Sequence, residues 1–473
     1  MLIDFAITNY KSIKKTVHLN MVYNTGESNE QLDKKYNKTN YIDFIKASTG
    51  KDEGRINVCP VMALFGANAS GKSNILKAFL AIRAIVLNGS VENFYTPFLF
   101  SNSTENAPTK FAITFSNDDN KDPRIYSYGI EYTARQIKRE YLKQIGKEKD
   151  KTIFDTNDFD TILPSIWQLF ITRRKPIANI FLDATYDYFN NLDLESQIGL
   201  RAVEAFFKGL FIADDINLAP ISTRDEKTVK DWLLRMDMRF CEINIDEEKP
   251  PEERDSNCNK NEEKSDPFAF DYGGVSEGKH EHLNIYLKDI NDQKNILGES
   301  YPNHLIIFGF DDAGSPRFNA YNINMKYQKD DSDKTVSINY IKDESTGTKN
   351  LFRFLFVLVD ALKHGRIIIF DEIDRTIHTE LLKFLLGIMH AKNLNKNAQM
   401  ICSSHNPCII NAAGRYGIMF VEKNSGLSTE VSFLSEYKYS AESVLDDYLN
   451  DRFGATPRVI DIFENMEVPD ANK

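Results

Sequence analysis

Residues 61–73, VMALFGANASGKS, pass from an unbroken apolar run into a glycine-bounded loop that ends in Lys72-Ser73. The following NILKAFLAIRAIVL (74–87) carries apolar side chains at helical spacing. Strand, loop and helix in this order are the setting in which G-x-x-x-x-G-K-S binds phosphate. Gly66 and Gly71 let the backbone turn tightly with no Cβ in the way, so successive N–H groups can point inward at oxygen. The helix that begins there adds unpaired N–H groups and the positive end of its dipole. Lys72 supplies a point charge for the β- and γ-phosphates of a nucleotide, and the Ser73 hydroxyl is a magnesium ligand.

Three further segments extend this half-site. RIIIF (366–370) reads as a short buried parallel strand, and it ends in Asp371-Glu372. Ligands of open α/β sheets bind at the carboxyl ends of strands, so these acids are expected beside the phosphate loop. Asp371 then holds magnesium through water, and Glu372 polarises an attacking water as general base. One helix upstream stands ESTGTK (344–349), followed by Leu351, Leu355, Leu358 and Leu362 on one face. Ser345 and Gly347 at that helix start form a second anion-binding end. Downstream, AQMIC (398–402) predicts the next strand, leading into Ser403-Ser404-His405. A histidine there can reach the γ-phosphate and orient the water.

The whole chain sets the bounds. At 473 residues it is long enough for two or three domains. Its hydrophobic content of 42% and charged content of 27% are those of a soluble globular protein. No apolar run reaches the roughly 18 residues of a membrane span, and the N-terminus has no leader pattern, so a cytoplasmic protein with no membrane partner is expected. The five cysteines form no C-x-x-C pair and read as reduced thiols. A net charge of −11 argues against a general nucleic-acid coat, while a local basic patch leaves nucleic-acid contact open. The clusters Lys138-Arg139 and Arg173-Arg174-Lys175 read first as solvated faces. His280 and His282 are weak evidence for metal, and Asp446, Asp447 and Asp451 read as solvated helix-end acids.

Three regions follow from the patterning. Residues 1–150 are dominated by strand patterns (LIDFAITNY, VCPVMALFG, KFAITFS, RIYSYGIEY) around the glycine loop. Residues 151–290 turn to helical stretches such as LRAVEAFFKGLF and TVKDWLLRMDM, and form a mainly helical insertion or lid. It contains the charged segment 246–266, too poor in apolar side chains to offset its ordering entropy. Residues 291–473 alternate strand and helix again. The fold class is therefore α/β, a central mixed or parallel sheet with a β-subdomain and a helical insertion.

The order loop, Ser-x-Gly, Asp-Glu, His resembles the ABC ATPases of the SMC/RecF type, whose two chain halves fold into one head around an insertion. GANASGKSNIL (66–76) is similar to the G-x-N-x-S-G-K-S-N loops of that group. Asn9-Tyr10-Lys11-Ser12-Ile13 resembles their N-F-R-S strand end. ESTGTKNLF, DEIDRTIH and YLNDRFGATPRV together resemble the AbiLi/RloA-type ATPases of bacterial anti-phage systems. The resemblance implies ATP and Mg2+ as cofactors, with Asn68, Ser70, Asn74 and Lys11 joining Gly66, Gly71, Lys72 and Ser73 on the nucleotide. It further implies an ATP-sandwiched homodimer or higher oligomer, in which Ser345 and Gly347 reach the ATP of the opposite subunit. A separately encoded effector, such as a nuclease or Toprim-type toxin, is its expected partner.

The chain departs from the pattern in places. The glutamine that links magnesium to the insertion has no evident counterpart; Phe94-Tyr95-Thr96-Pro97-Phe98 occupies its region. Ile373 replaces the proline usual after the acid pair in transporters, and Asp374 to His378 stand where the D-loop is expected. The insertion is too short for a long coiled coil, and the stretch past His405 is expected to be too short for a Toprim domain. A RecF-like DNA-repair module is the alternative reading. A transporter subunit fits the N-terminal strand and the insertion poorly, and a P-loop kinase would leave Ser345 and His405 without roles.

Overall fold

The computed structural model describes residues 1–23, 45–48, 55–91, 93–117, 124–146, 149–157, 182, 192–212, 226–236, 240–248, 304–310, 316–330, 332–375, 377–414, 416–437 and 444–456. Its centre is a six-stranded sheet. The order is Leu210–Ile212, Ile367–Phe370, Gln399–Ser404, Val61–Phe65, Ile418–Lys423 and Thr429–Phe433. The first five run parallel, and the last closes the edge as an antiparallel hairpin.

Parallel strands covered on both faces read as continuous apolar runs, and VMALF and IIIF are buried throughout. Successive side chains of a strand point to opposite faces, so each strand feeds two cores. Met62, Leu64, Ile367, Ile369 and Ile401 join Phe5, Ile75 and Phe79 on one side. Val61, Ala63, Phe65, Ile368, Phe370 and Met400 join Leu351, Leu355 and Leu382 on the other.

The first core is shared with an antiparallel β-subdomain, ordered Val17–Asn20, Leu2–Thr8, Thr109–Ser116, Ile125–Tyr132, Ile137–Ile145 and Lys151–Asp155. The helix after the glycine loop, Lys72–Asn88, lies between this subdomain and the central sheet: Phe79 meets the Phe5 ring at a centroid distance of 4.3 Å. Burying each such ring contributes roughly 1.5–3 kcal/mol. Gln399 joins the two sheets by hydrogen bonding. Its Oε1 accepts from Leu2 N–H at 2.7 Å, and its Nε2 donates to the carbonyls of Leu2 (2.9 Å) and Cys59 (3.4 Å), all buried.

The predicted Ser-capped helix forms over Thr346–His364, with Leu351, Leu355, Leu358 and Leu362 buried as expected. The remaining positions between Leu351 and Leu362 are also buried, apart from Arg353, so this stretch is covered nearly all round, the ion-paired Asp360 included. A four-stranded antiparallel sheet built on the long strand Pro316–Gln328 stands beside its N-terminus. Within 151–290 the described residues hold two helices, Leu194–Lys208 and Glu226–Arg235, together with strands. One of those, Leu210–Ile212, is an edge of the central sheet, where the LRAVEAFFKGLF pattern predicts continued helix. Gly209 ends the helix before it.

Several sequence readings fall elsewhere. Arg173 to Lys175, His280, His282, Cys258 and residues 249–266 lie outside the described residues. Arg139 is bound bidentately by Asp155, at 3.1 and 2.7 Å. Asp447 pairs with Arg452, and Asp451 accepts from Thr456; among the described residues no group of three or more His, Cys, Asp or Glu is placed to hold a metal. Among those residues Cys59, Cys241, Cys402 and Cys408 form no disulfide, and no helix is long and apolar enough to cross a membrane.

Candidate nucleotide site

The strand Val61–Phe65 delivers the glycine loop to the carboxyl end of the sheet, and the helix from Lys72 leaves it. Gly71 holds φ at +118°, a conformation that L side chains rarely adopt. A Cβ there would lie 2.1 Å from Thr429 Oγ1, and a Cβ on Gly66 would lie 2.2 Å from the Val421 carbonyl oxygen. Both glycines are therefore required by the adjoining hairpin as well as by the turn. The helix start has no side-chain cap and no acid in its first turn, so its N–H groups and dipole remain available to an anion.

Lys72 is 5% exposed, with Nζ donating to the carbonyls of Gly66 (2.8 Å) and Ala67 (3.0 Å). Burial pushes its pKa down, opposed by the charges of Asp371, Asp374 and Glu372. Ser70 Oγ is buried with no hydrogen-bond partner, a polar atom awaiting an acceptor or donor from outside the chain. Ser73 sits half-buried at the helix start, and Asn68 is exposed in the loop.

The Asp-Glu strand is not the immediate neighbour of the phosphate-loop strand. Gln399–Ser404 lies between them, paired to both. This intervening strand ends in Ser403, a residue that sequence reasoning passed over. Its hydroxyl donates to Asp371 Oδ1 at 2.5 Å and accepts from Glu372 N–H at 2.8 Å. Glu372 has a left-handed backbone (φ +50°), so this bond fixes an otherwise unfavourable turn. Asp374 Oδ2 accepts from the His405 N–H at 3.1 Å, while Oδ1 is buried without a partner. Asp371, Glu372 and Asp374 thus lie close enough for their charges to act on Lys72, and His405, at the end of the neighbouring strand, is tied to them through Asp374.

Of the Asn9-Tyr10-Lys11-Ser12 turn, Ser12 reaches the loop. Its Oγ lies 2.7 Å from Thr429 Oγ1 and accepts from Asn74 Nδ2 at 2.7 Å. Lys11 has a left-handed backbone (φ +49°), and its N–H donates to Thr96 O. Burial and the Lys77 charge hold its pKa below the ordinary lysine value. Asn9 anchors the turn through side-chain bonds to Thr104 O, Ala107 O and Phe98 N–H. Ser345 caps its helix, accepting from Thr348 N–H at 3.1 Å, and it is exposed; Gly347 follows half-buried. The hydrogen-bond partner described for the Ser345 side chain lies on its own helix, not on the phosphate loop.

A phosphate-loop strand separated from an Asp-Glu strand by one further strand, with an antiparallel subdomain over the loop helix, defines an α/β P-loop NTPase with an ABC-type head. The chain belongs to the family described as "AAA domain, putative AbiEii toxin, Type IV TA system", which it matches over residues 61–411. Solved structures with similar folds include an SmcHead bound to the C-winged helix domain of ScpA, at 14% identity and a TM-score of 0.37 over 91% of this chain and 97% of that one. The SMC head domain from Thermotoga maritima is 12% identical, TM-score 0.33, over 91% and 98%. The Smc head domain with a coiled coil and joint derived from Pyrococcus yayanosii is 11% identical, TM-score 0.35, over 95% and 99%. No curated protein matches the chain.

Proposed function

We propose that this chain is a cytoplasmic ATP-hydrolysing switch that dimerises on ATP and controls a separately encoded effector, in bacterial anti-phage defence of the abortive-infection kind. The observation that carries the ATPase reading is the convergence of Asp371, Glu372 and Asp374 on Lys72, with Ser403 holding the first two. The loop N–H groups, Ser70 and Lys72 bind the phosphates. Magnesium, held by Ser73 and through Asp371, would supply positive charge to the β- and γ-phosphate oxygens. Glu372 takes a proton from the water that attacks the γ-phosphorus as the bond to the β-phosphate oxygen breaks, and His405 orients that water.

Ser345, exposed, and Gly347, half-buried, stand at a helix start suited to the γ-phosphate of the ATP held by a second subunit. A site completed only by two copies couples nucleotide state to association, and hydrolysis then releases the pair. The family's description, which names a putative toxin and a toxin–antitoxin system, supports the defence role and a partner protein. Glu372→Gln removes the base and keeps the shape. It is expected to hold an ATP-dependent dimer in size-exclusion chromatography with light scattering, with turnover reduced at least about 100-fold. A monomer that hydrolyses ATP at the wild-type rate would sink the proposal.

A further inference from the structure

Thr429 opens the second strand of the C-terminal hairpin and is 2% exposed, yet it lies against the phosphate loop. Its N–H donates to Ser12 O at 2.8 Å, and its Oγ1 donates to the Ser70 carbonyl at 2.9 Å. Because a carbonyl can only accept, the single hydroxyl proton of Thr429 is committed to Ser70. The 2.7 Å contact between Ser12 Oγ and Thr429 Oγ1 must then use the proton of Ser12. Ser12 Oγ in turn accepts from Asn74 Nδ2, a group that can only donate, at 2.7 Å. The protons of the whole relay are thereby assigned: Asn74 to Ser12, Ser12 to Thr429, Thr429 to Ser70. It starts on the loop helix, crosses the N-terminal turn and the hairpin, and ends on the loop's own peptide.

The relay fixes one thing that the phosphates need. A peptide carries its C=O and N–H on opposite sides, so holding the Ser70 carbonyl toward Thr429 turns the Gly71 N–H the other way. The left-handed Gly71 leaves room for the latch, because a Cβ there would lie 2.1 Å from Thr429 Oγ1. We propose that Thr429 is a positioning residue for ATP, a latch that pre-orients the Ser70–Gly71 peptide and ties phosphate affinity to the C-terminal hairpin. This rests on the ATP-binding reading of the site.

The test compares full-length wild type, Thr429→Val and Thr429→Ser. The readouts are the Kd for a fluorescent ATP analogue, KM and kcat for ATP, and the melting temperature. The valine variant keeps the shape and lacks the hydroxyl. It is expected to raise Kd and KM about five- to tenfold, from one lost hydrogen bond and the smaller competent fraction of the loop. Its kcat is expected to stay within about twofold, because Thr429 touches none of the residues around Glu372. The serine variant is expected to recover wild-type affinity. Wild-type affinity in the valine variant, or equal weakening in both variants, overturns the latch. If the valine variant does not fold, Ser12→Ala cuts the relay one bond away and is expected to weaken binding about threefold; unchanged affinity there overturns it equally. A wild-type protein that binds no ATP overturns the nucleotide reading itself, a result distinct from either.

Discussion

Replacing Ser403 by alanine separates binding from chemistry at this site. The side chain is fully buried between Asp371 Oδ1 at 2.5 Å and Glu372 N–H at 2.8 Å. A hydrogen bond to a carboxylate contributes about 1.5–3 kcal/mol, and one to a backbone N–H about 1 kcal/mol. Together they hold roughly 2–4 kcal/mol of local order. That order opposes the roughly 1–2 kcal/mol by which a non-glycine residue such as Glu372 disfavours its left-handed backbone. On the proposed mechanism, losing Ser403 is expected to let the glutamate relax and draw its carboxylate off the line of the attacking water. If between a third and two thirds of the lost energy falls on the transition state, kcat drops about 3- to 100-fold. The glycine loop and Lys72 make no hydrogen bond to Ser403, so the Kd for ATP measured without magnesium is expected to stay within about twofold. Steady-state phosphate release and equilibrium ATP binding on the same preparation measure both quantities. A kcat within twofold of wild type, or a Kd that weakens as much as kcat falls, would refute the reasoning.

Gln399→Leu leaves Leu2 N–H and the Leu2 carbonyl buried without their partner. It is expected to lower the unfolding free energy by about 2–4 kcal/mol, read from a shifted denaturant midpoint at unchanged slope. Asp155 illustrates a pH effect of known sign. Burial works to raise its carboxyl, but bidentate bonding to Arg139 prevails and holds the pKa below the ordinary value. The stability it contributes is therefore present above the unfolded pKa of about 4 and lost as pH falls through the lower folded value. Urea midpoints of wild type and Asp155→Asn at pH 7 and at about pH 3 are expected to differ most at pH 7 and to converge in acid.

The phosphate loop, the Asp-Glu strand, the Ser-capped helix and the strand before His405 were legible in the sequence because each is a local pattern with its own physical reason. Glycines, Lys-Ser and a helical period sit together in 66–87, and IIIF ends directly in its acids. Ser403 was hidden for the opposite reason. A serine acquires its role only when its strand is placed between two others, and no local period announces that placement. Thr429 belongs to a hairpin joined by the polar turn from Asn424 to Ser428, which carries neither a strand's nor a helix's period. Leu210–Ile212 continues the apolar pattern of the helix before it, and only its pairing with Ile367–Ile369 makes it a strand. Three apolar residues cannot be assigned by periodicity alone.

The pairing of Val61–Phe65 with Met400–Ser404 has a consequence for how the chain is made. Its other neighbour, Ile418–Phe420, comes later still. Both strands that will cover VMALF are about 340 residues or more downstream. At roughly 5–20 residues per second, a ribosome needs about 20–70 s to produce them. Throughout that interval five consecutive apolar residues have two unsatisfied backbone edges, the pattern from which intermolecular β-pairing starts. The strand that delivers the glycine loop is made before either of its neighbours, and the sheet around it cannot close until residues 400–420 have emerged. Nascent-chain protection of this one strand is thus as much a requirement of the fold as any contact in the finished molecule.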